Sequence, residues 1–169
     1  MVNESSLVES MIDQDNNMIL VCEVAETVLG ISTACIQEVL AIPDIRPVHH
    51  APAYIKGLFN LRGRVLSLID PAVKLELKAQ TIFEESRILV IQTGNELVGL
   101  LVEALHGIFP ATATHTTSNP ENLQESFQKA ISGFCFIEDK MVGLVKIDEL
   151  LDRDLVDGNN VTDEVSTNR

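Results

Sequence analysis

The segment 57–70, which reads Gly-Leu-Phe-Asn-Leu-Arg-Gly-Arg-Val-Leu-Ser-Leu-Ile-Asp, constrains the fold more than any other part of the chain. In its first half, Phe59 and Leu61 alternate with Asn60 and Arg62. Alternation of apolar and polar residues with a period of two is typical of a β-strand with one buried face and one solvent-exposed face. The segment therefore predicts a half-buried strand, and with it a fold that contains a β-sheet.

Two glycines bracket this strand. Because neither Gly57 nor Gly63 has a side chain to pack, both are predicted at tight turns, bulges or close backbone approaches. After Gly63 apolar residues fall on both faces, as in a strand buried between two layers: Val65, Leu66, Leu68 and Ile69. Arg62 lies between the first strand and Gly63, so we expect its charge at the edge of a buried sheet, where it needs a partner.

The rest of the chain repeats the same kind of pattern. Three pairs of apolar runs, each separated by a short polar stretch, predict β-hairpins: 18–24 with 27–31, 87–93 with 96–103, and 131–137 with 141–147. A further strand is expected over 104–110. About nine or ten short strands, with no helix long enough for regular crossovers, favour a closed barrel or a sandwich. The predicted fold class is all-β.

Helices are expected to be few and short. Ser32 and Thr33 offer an N-cap to a helix over 34–40, where apolar residues recur at helical spacing. Asp70 is predicted to cap a helical turn that begins at Pro71. The other short helices are predicted over 120–129 and from 148, and the loops over 76–85 and 111–119.

Charge divides the chain into a folded part and two acidic tails. The formal net charge is −13, of which residues 1–17 and 152–169 together supply −7. Such a charge repels phosphate backbones, so a nucleic-acid partner is not expected. We predict a flexible acidic N-terminal tail over 1–17, one domain over 18–151 and an acidic C-terminal tail over 152–169.

The location of the protein is predicted from what its sequence lacks. The acidic N-terminus resembles no signal peptide, and no apolar run approaches the roughly 20 residues that span a bilayer, so direct membrane insertion is not expected. Cys22, Cys35 and Cys135 are widely separated, odd in number and set among apolar neighbours. They are predicted to be buried free thiols in a reducing, cytoplasmic compartment.

The sequence offers little support for catalytic or metal-binding groups. His49 and His50 are adjacent, so on an extended chain they point to opposite sides and at most one can face a given metal. His106 and His115 are isolated, and no local signature makes a nucleophile of Cys35 or Cys135. We therefore predict no catalytic residue, no metal and no cofactor. A small β-barrel enzyme or ligand-binding protein is the alternative that a bound metal or small molecule would favour.

Three segments in order carry a family resemblance. They are Ile36-Gln37-Glu38-Val39, the proline-flanked 47–57, and Asn60-Leu61-Arg62-Gly63 with the strand and aspartate that follow. Together they resemble the CheW-like domain, the adaptor that couples chemoreceptors to the histidine kinase CheA. The resemblance runs over 18–151 and implies two intertwined, five-stranded SH3-like β-barrels. It also implies two partners, the cytoplasmic tip of a chemoreceptor and the regulatory domain of a CheA-type kinase, and recruitment to receptor clusters at the membrane.

The resemblance also implies site residues. The receptor-binding candidates are Ile36, Glu38, Val39, Gly57, Asn60, Arg62 and Gly63. The kinase-binding candidates, expected at exposed apolar strand ends, are Val98, Gly99, Leu100 and Val102. Within the first set we expect Glu38 and Arg62 to pair, since either charge would be costly to bury alone. The other pathway left open is a CheW-like adaptor in type IV pilus or other non-flagellar signalling.

Overall fold

The computed structural model describes residues 17–111 and 123–152, and in them the all-β prediction is confirmed. The strands are β1 (Met18–Val24), β2 (Thr27–Ser32), β3 (Ile36–Ala41), β4 (Ile55–Leu61), β5 (Arg64–Ile69), β6 (Arg87–Thr93), β7 (Glu96–Val102), β8 (Ala104–Pro110), β9 (Ile131–Ile137) and β10 (Lys140–Val145). Three short helices cover Pro71–Lys74, Glu125–Ala130 and Ile147–Leu150.

These strands form two five-stranded sheets that are interleaved along the chain. The first sheet has the order β8-β1-β2-β10-β9, and the second has the order β3-β6-β7-β5-β4. The chain therefore starts in the first sheet, leaves it after β2, completes the second sheet, and returns with β8. Most neighbours are antiparallel, whereas β10 with β2 and β5 with β7 are parallel. This arrangement agrees with the two intertwined five-stranded units that the resemblance implies.

The predicted hairpins form even where their turns lack glycine. In the turn between β1 and β2, Ala25 and Glu26 both have positive φ, at 47° and 65°. Glu138 and Asp139 between β9 and β10 do the same, at 49° and 65°. Two-residue hairpin turns require this left-handed backbone because only it matches the twist of the strands. The pairing of the strands thus imposes a conformation that these residues do not favour on their own.

The two sheets share the largest cluster of buried apolar residues. The first sheet contributes Val24, Leu29 and Ile31, and the second contributes Leu89, Ile91, Leu100 and Val102, among others. Each sheet also has a smaller cluster of its own, around Phe59 in the second sheet and around Val142 in the first. Since burial of apolar surface is the main stabilising term, the common core ties the folding of one sheet to that of the other.

The helix predicted over 34–40 is wrong, because residues 34 and 35 belong to a 3-10 turn over Thr33–Cys35 and residues 36–40 belong to strand β3. Ser32 does act as a cap, since its Oγ accepts a hydrogen bond from the N–H of Ala34 at 3.3 Å. Along β3 the half-buried and exposed residues alternate. A bulge in the pairing with β6 lies between Ile36 and Glu38. Pairing with β6 decides the conformation, and it overrides a helical spacing that spans only seven residues.

A second correction concerns β5. Val65 was expected to be buried like its neighbours, yet it is 67% exposed, and only the residues from Leu66 onward enter the core. β5 begins directly after the turn and pairs at that end with the edge strand β4, so its first residues lie outside the layered region.

The remaining predictions of local structure fare as follows. The turn that begins at Pro71 is confirmed, and so are strand β8 and the final short helix. The helix expected over 120–129 is found as Glu125–Ala130, although residues 120–122 lie outside the described residues. Most of the 111–119 loop, including His115, and the two acidic tails apart from their boundary residues 17 and 152 also lie outside them. The domain boundaries stay a prediction.

Candidate functional site: the edge of the second sheet

The hairpin of β4 and β5 presents Arg62 to solvent. Leu61 pairs with Arg64, so Arg62 and Gly63 form a two-residue turn, with φ of 49° and 83°. The side-chain oxygen of Asn60 accepts a hydrogen bond from the N–H of Gly63 at 2.9 Å, which fixes the turn. Glycine carries the larger positive φ without strain. The predicted position of Arg62, between a strand and a glycine at the sheet edge, is therefore confirmed.

Arg62 pairs with Glu38 as the sequence predicts. Nη1 of Arg62 donates to Oε2 of Glu38 at 2.8 Å, and Nη2 donates to Oε1 and Oε2 at 2.6 Å. Glu38 lies on β3 and Arg62 directly follows β4, which are the two opposite edges of the second sheet. The sheet must therefore curl until its edges approach each other at this ion pair.

A close backbone approach explains Gly57. Its φ is 155°, and a Cβ atom there would lie 2.5 Å from the carbonyl oxygen of Arg46. Arg46 and Leu58 exchange two backbone hydrogen bonds of 2.8 Å, which add a short stretch of chain to the free edge of β4. The predicted bulge or close approach is confirmed, since the pairing of β4 with β5 shifts between Ile55 and Gly57.

A groove lies beside this turn that the sequence alone did not reveal. Its volume is about 570 Å³, and its lining combines apolar residues with charged and amide groups: Pro43, Asp44, Arg46, Leu58, Phe59, Asn60 and Val65. Val65, which is 67% exposed, is one of these lining residues. No periodic pattern could have found the groove, because the stretch from Pro43 to Arg46 and strand β4 are separated in sequence and meet only at the isolated bridge to Leu58.

The structure brings together some of the predicted receptor-binding residues and separates others. Glu38, Arg62, Asn60 and Gly63 lie at one corner of the second sheet, whereas Val39, the next residue of β3 after Glu38, is exposed on the other face of that strand. Ile36 is half-buried against the common core. Gly57 is buried near the start of β4, so its role is to permit the approach of Arg46.

The expectation that the kinase-binding candidates are exposed is wrong. They lie on β7, the central strand of the second sheet, between β6 and β5. Leu100 and Val102 are fully buried in the common core, and Gly99 faces the ring of Phe59. Val98 is half-buried against the same core. A strand that is hydrogen-bonded on both edges and apolar on both faces offers a partner neither backbone nor side chains.

A buried polar cluster lies at the other end of β5. The carboxylate of Asp70 is fully buried and accepts hydrogen bonds from the N–H of Ala72 at 3.0 Å and of Gln80 at 2.9 Å. The side-chain amide of Gln80 donates to Asp70 at 2.7 Å and to the carbonyl of Leu101 at 2.9 Å. Nζ of Lys56 lies 3.6 Å from the carboxylate. The predicted capping role of Asp70 is confirmed, but Gln80, expected in a surface loop, is buried.

The thiols are poor nucleophiles. Burial raises the pKa of Cys22 from 9.0 to about 12, and burial likewise raises the pKa of Cys35 and of Cys135. A thiol needs a lowered pKa to react as a thiolate near neutral pH. All three cysteines are free.

Three histidines and one buried lysine, Lys74, are the remaining candidates among the described residues. His49 and His50 are exposed in a turn, and His106 lies 3.3 Å from Glu23 on the neighbouring strand. Nζ of Lys74 donates to the carbonyl of Leu150 at 2.9 Å, and burial lowers its pKa. Within 17–111 and 123–152 no group of three or more His, Cys, Asp or Glu residues could hold a metal ion. No helix in these ranges is long and apolar enough to cross a membrane.

Comparisons of the sequence and of the fold with known proteins all point to one family. The profile of the CheW-like domain matches residues 18–155. The chemotaxis protein CheW of Rhizobium meliloti is 32% identical over 118 residues, which are 66% of this chain and 76% of that protein. The chemotaxis protein CheW of Thermotoga maritima is 26% identical over 137 residues, 79% of this chain and 87% of that protein. The scaffolding protein TtCheW from Thermoanaerobacter tengcongensis superposes with a TM-score of 0.70 at 24% identity, covering 81% of this chain and 88% of that one, and so shares the fold.

Proposed function

Because this chain belongs to the CheW-like domain family, we propose that it is a chemotaxis adaptor that couples the cytoplasmic tip of chemoreceptors to the regulatory domain of a CheA-type histidine kinase. The observation that carries the proposal is the family match over nearly the whole described part of the chain. The protein is a scaffold, so its function is to hold two partners together and it performs no chemistry. Its partners recruit it to receptor clusters at the membrane.

The receptor contact in this proposal is the corner that holds Arg62 and Glu38. The side chain of Arg62 is 69% exposed, so water screens the ion pair and its contribution to stability is at most about 1 kcal/mol. A pair that contributes so little to the fold remains available to a partner. The guanidinium has donors beyond those that Glu38 uses, and a planar fork of donors recognises carboxylates and amides with defined geometry.

The groove beside the turn supplies the apolar part of the same contact. Leu58, Val65 and Pro43 contribute apolar surface, and Asn60 connects the groove to the Arg62 turn. Interfaces typically combine an apolar centre with a polar rim. We therefore place the receptor tip over the groove, with Arg62 and Glu38 at its rim. Gly57 supports this surface indirectly, since it allows Arg46 to lie against β4.

The test is binding of the purified full chain to a receptor-tip fragment, measured by isothermal titration calorimetry. Arg62→Glu places two like charges side by side and removes the guanidinium, so we expect the receptor affinity to fall about tenfold or more. Arg64→Glu is the matched control, because Arg64 is exposed on the same hairpin and pairs through its backbone with Leu61. This control should change the affinity by less than about threefold.

Two outcomes would contradict the proposal. One is an unmodified chain that binds neither the receptor tip nor the kinase regulatory domain. The other is an Arg62→Glu variant that loses its cooperative unfolding transition, because Arg62 would then stabilise the fold instead of contacting the receptor. Urea denaturation of both variants separates the second outcome from a loss of binding alone.

A further inference from the structure

Lys74 places an amine in the interior of the protein. The residue is 7% exposed, and its Nζ lies 4.6 Å from the centroid of the Tyr54 ring and donates to the carbonyl of Leu150 at 2.9 Å. Lysine is among the residue types that are least often buried, because it is costly to take its charge out of water. The burial of this amine therefore requires an explanation.

The internal repetition of the fold shows what the position of Lys74 requires. Each sheet has a hairpin that runs into a one-turn helix, β4–β5 into Pro71–Lys74 and β9–β10 into Ile147–Leu150. In both cases the residue before the helix donates its N–H at 2.7 Å to the carbonyl of the residue that precedes the hairpin. Lys74 and Leu150 are thus equivalent last residues of the two helices, and Leu150 is 2% exposed. Since a buried leucine fills the equivalent position, the fold does not require an amine there.

Lys74 also lines a cavity to which all three short helices contribute. The cavity has a volume of about 260 Å³, and seven residues line it: Lys74, Ser126, Lys129, Ala130, Glu149, Leu150 and Asp152. Three of them are buried, namely Lys74, Ala130 and Leu150, and the others are half-buried or exposed. The cavity therefore connects the buried amine with solvent. Because pockets for drug-sized ligands measure roughly 300 to 1,000 Å³, this one admits a smaller molecule.

The two lysines of this cavity differ in how readily they lose a proton. Burial lowers the pKa of Lys74 from its ordinary value of 10.5, and the charge of Asp152 offsets this only in part. The ammonium of Lys129 donates to Glu125 at 2.9 Å, and this hydrogen bond raises the pKa of Lys129. A neutral amine has the lone pair that attacks an electrophile, and desolvation is one way in which proteins activate lysines as nucleophiles. Lys74 is therefore the nucleophilic lysine of the pair.

We propose that Lys74 is a covalent binding site for small uncharged aldehydes, which form an imine with its Nζ. The charges of the cavity favour this class of electrophile. The carboxylates of Glu149 and Asp152 repel anionic reagents such as acyl phosphates. An imine at Nζ is positively charged when protonated, and this charge is stabilised by the same carboxylates, by the face of the Tyr54 ring and by the carbonyl of Leu150.

The reaction balances without an oxidant or a reductant. The lone pair of Nζ attacks the carbonyl carbon of the aldehyde, and a proton moves from the nitrogen to the former carbonyl oxygen, which gives a carbinolamine. A second proton comes from solvent, and the oxygen leaves as water while the nitrogen lone pair forms the C=N bond. The carboxylates that line the cavity are suited to relay this proton. The protonated imine keeps one N–H as a donor for the carbonyl of Leu150.

The experiment treats the full chain with acetaldehyde and traps imines with cyanoborohydride, which reduces them to stable secondary amines. Peptide mapping by mass spectrometry then measures the rate of ethylation at every lysine. At about pH 7 we expect Lys74 to react about fivefold faster or more than Lys78 and Lys129, because more of its amine is neutral. Lys78 is the matched reference, since it is exposed and lies four residues later in the chain. The preference should shrink as the pH rises towards the ordinary pKa of lysine, where exposed amines also lose their proton.

Two variants test whether the cavity explains the preference. Ser126→Leu adds apolar bulk to the cavity wall, so it should slow the ethylation of Lys74 about threefold or more and leave that of Lys78 unchanged. Lys74→Arg keeps a charged donor for the carbonyl of Leu150 but removes the nucleophile, so the fast phase of ethylation should disappear. Urea denaturation verifies that both variants are folded. If Ser126→Leu does not fold, the pH dependence of the unmodified chain carries the test.

Three results would overturn the inference. Ethylation of Lys74 that is no faster than that of Lys78 at about pH 7 would show that the buried amine has only a structural role. An unchanged rate in folded Ser126→Leu would show that the aldehyde does not reach Nζ through the cavity. A preference for Lys74 that persists in the urea-unfolded chain would assign it to the local sequence, because unfolding removes the burial. None of these results involves a receptor or a kinase, so they leave the proposed function untouched.

Discussion

A carboxylate lies at each end of the β4–β5 hairpin, and the two carboxylates differ in their burial and in their partners. Asp70 is fully buried, accepts three hydrogen bonds from N–H groups and lies near the ammonium of Lys56. Glu38 meets Arg62 at the sheet edge, where the guanidinium is mostly in water. A buried carboxylate depends on its partners, because a charge left unpaired in the interior is costly. Loss of an exposed pair changes the stability of the fold little, so such a pair is available to contact a partner.

The comparison also relates the proposed receptor contact to the fold. The buried end holds Gln80, while the exposed end carries the proposed receptor contact. The same hairpin thus has a buried polar cluster at one end and an accessible turn at the other. Removing equivalent carboxylates at the two ends is the most direct way to test this difference.

The largest expected effect is that of Asp70→Ala. It leaves the N–H of Ala72 and the backbone and side-chain N–H groups of Gln80 without this acceptor and removes the charge that faces the Lys56 ammonium, so the free energy of unfolding should fall by about 3 to 5 kcal/mol. Urea denaturation followed by circular dichroism measures the change. The matched variant at the other end, Glu38→Ala, should lower stability by less than about 1 kcal/mol. Equal losses in the two variants would refute the distinction between the ends.

A smaller effect is expected for Lys56→Met. Its Nζ lies 3.6 Å from Asp70, beyond hydrogen-bonding distance, and donates to the carbonyl of Gln80 at 3.1 Å. Because the N–H donors satisfy Asp70 without it, we expect a loss of about 1 kcal/mol, measured by the same denaturation curves. A loss as large as that of Asp70→Ala would show that the ammonium, and not the N–H groups, is what keeps the carboxylate buried.

The smallest effect is the coupling between Arg62 and Glu38. A double-mutant cycle with Arg62→Ala and Glu38→Ala should give a coupling free energy below about 1 kcal/mol at low salt. At about 1 M salt the Debye length is roughly 3 Å, so the coupling should nearly vanish. A coupling that persists at high salt would show that the pair, like Asp70, stabilises the fold.

Much of the fold could be predicted because its elements are hairpins. Strands that are neighbours in sequence pair with each other, so alternation within each run and the polar residues between runs were sufficient to predict β1 with β2, β6 with β7 and β9 with β10. The segment 34–40 failed because its partner β6 lies about fifty residues later, and without that partner its spacing fits a helix equally well.

The candidate site also combines features that the sequence predicted with features that it did not. The position of Arg62 followed from local pattern, and its pairing with Glu38 followed from the cost of isolated charges together with the family resemblance. The burial of Leu100 and Val102 could not be foreseen, since an apolar strand looks alike whether it lies at an edge or in the centre of a sheet. The burial of Gln80 was missed because it depends on contacts with Asp70 and Leu101, which are distant in the sequence.

By itself, the sequence determined the all-β class, the hairpins, the turn that presents Arg62 and the cap at Asp70, because each depends on residues a few positions apart. Only the tertiary structure decided which strands became central, how the second sheet curls to bring Glu38 to Arg62, and which loop residues became anchors or exposed tips. Those features depend on contacts between residues far apart in the chain, where burial and unpaired charge, not local pattern, set the free energy.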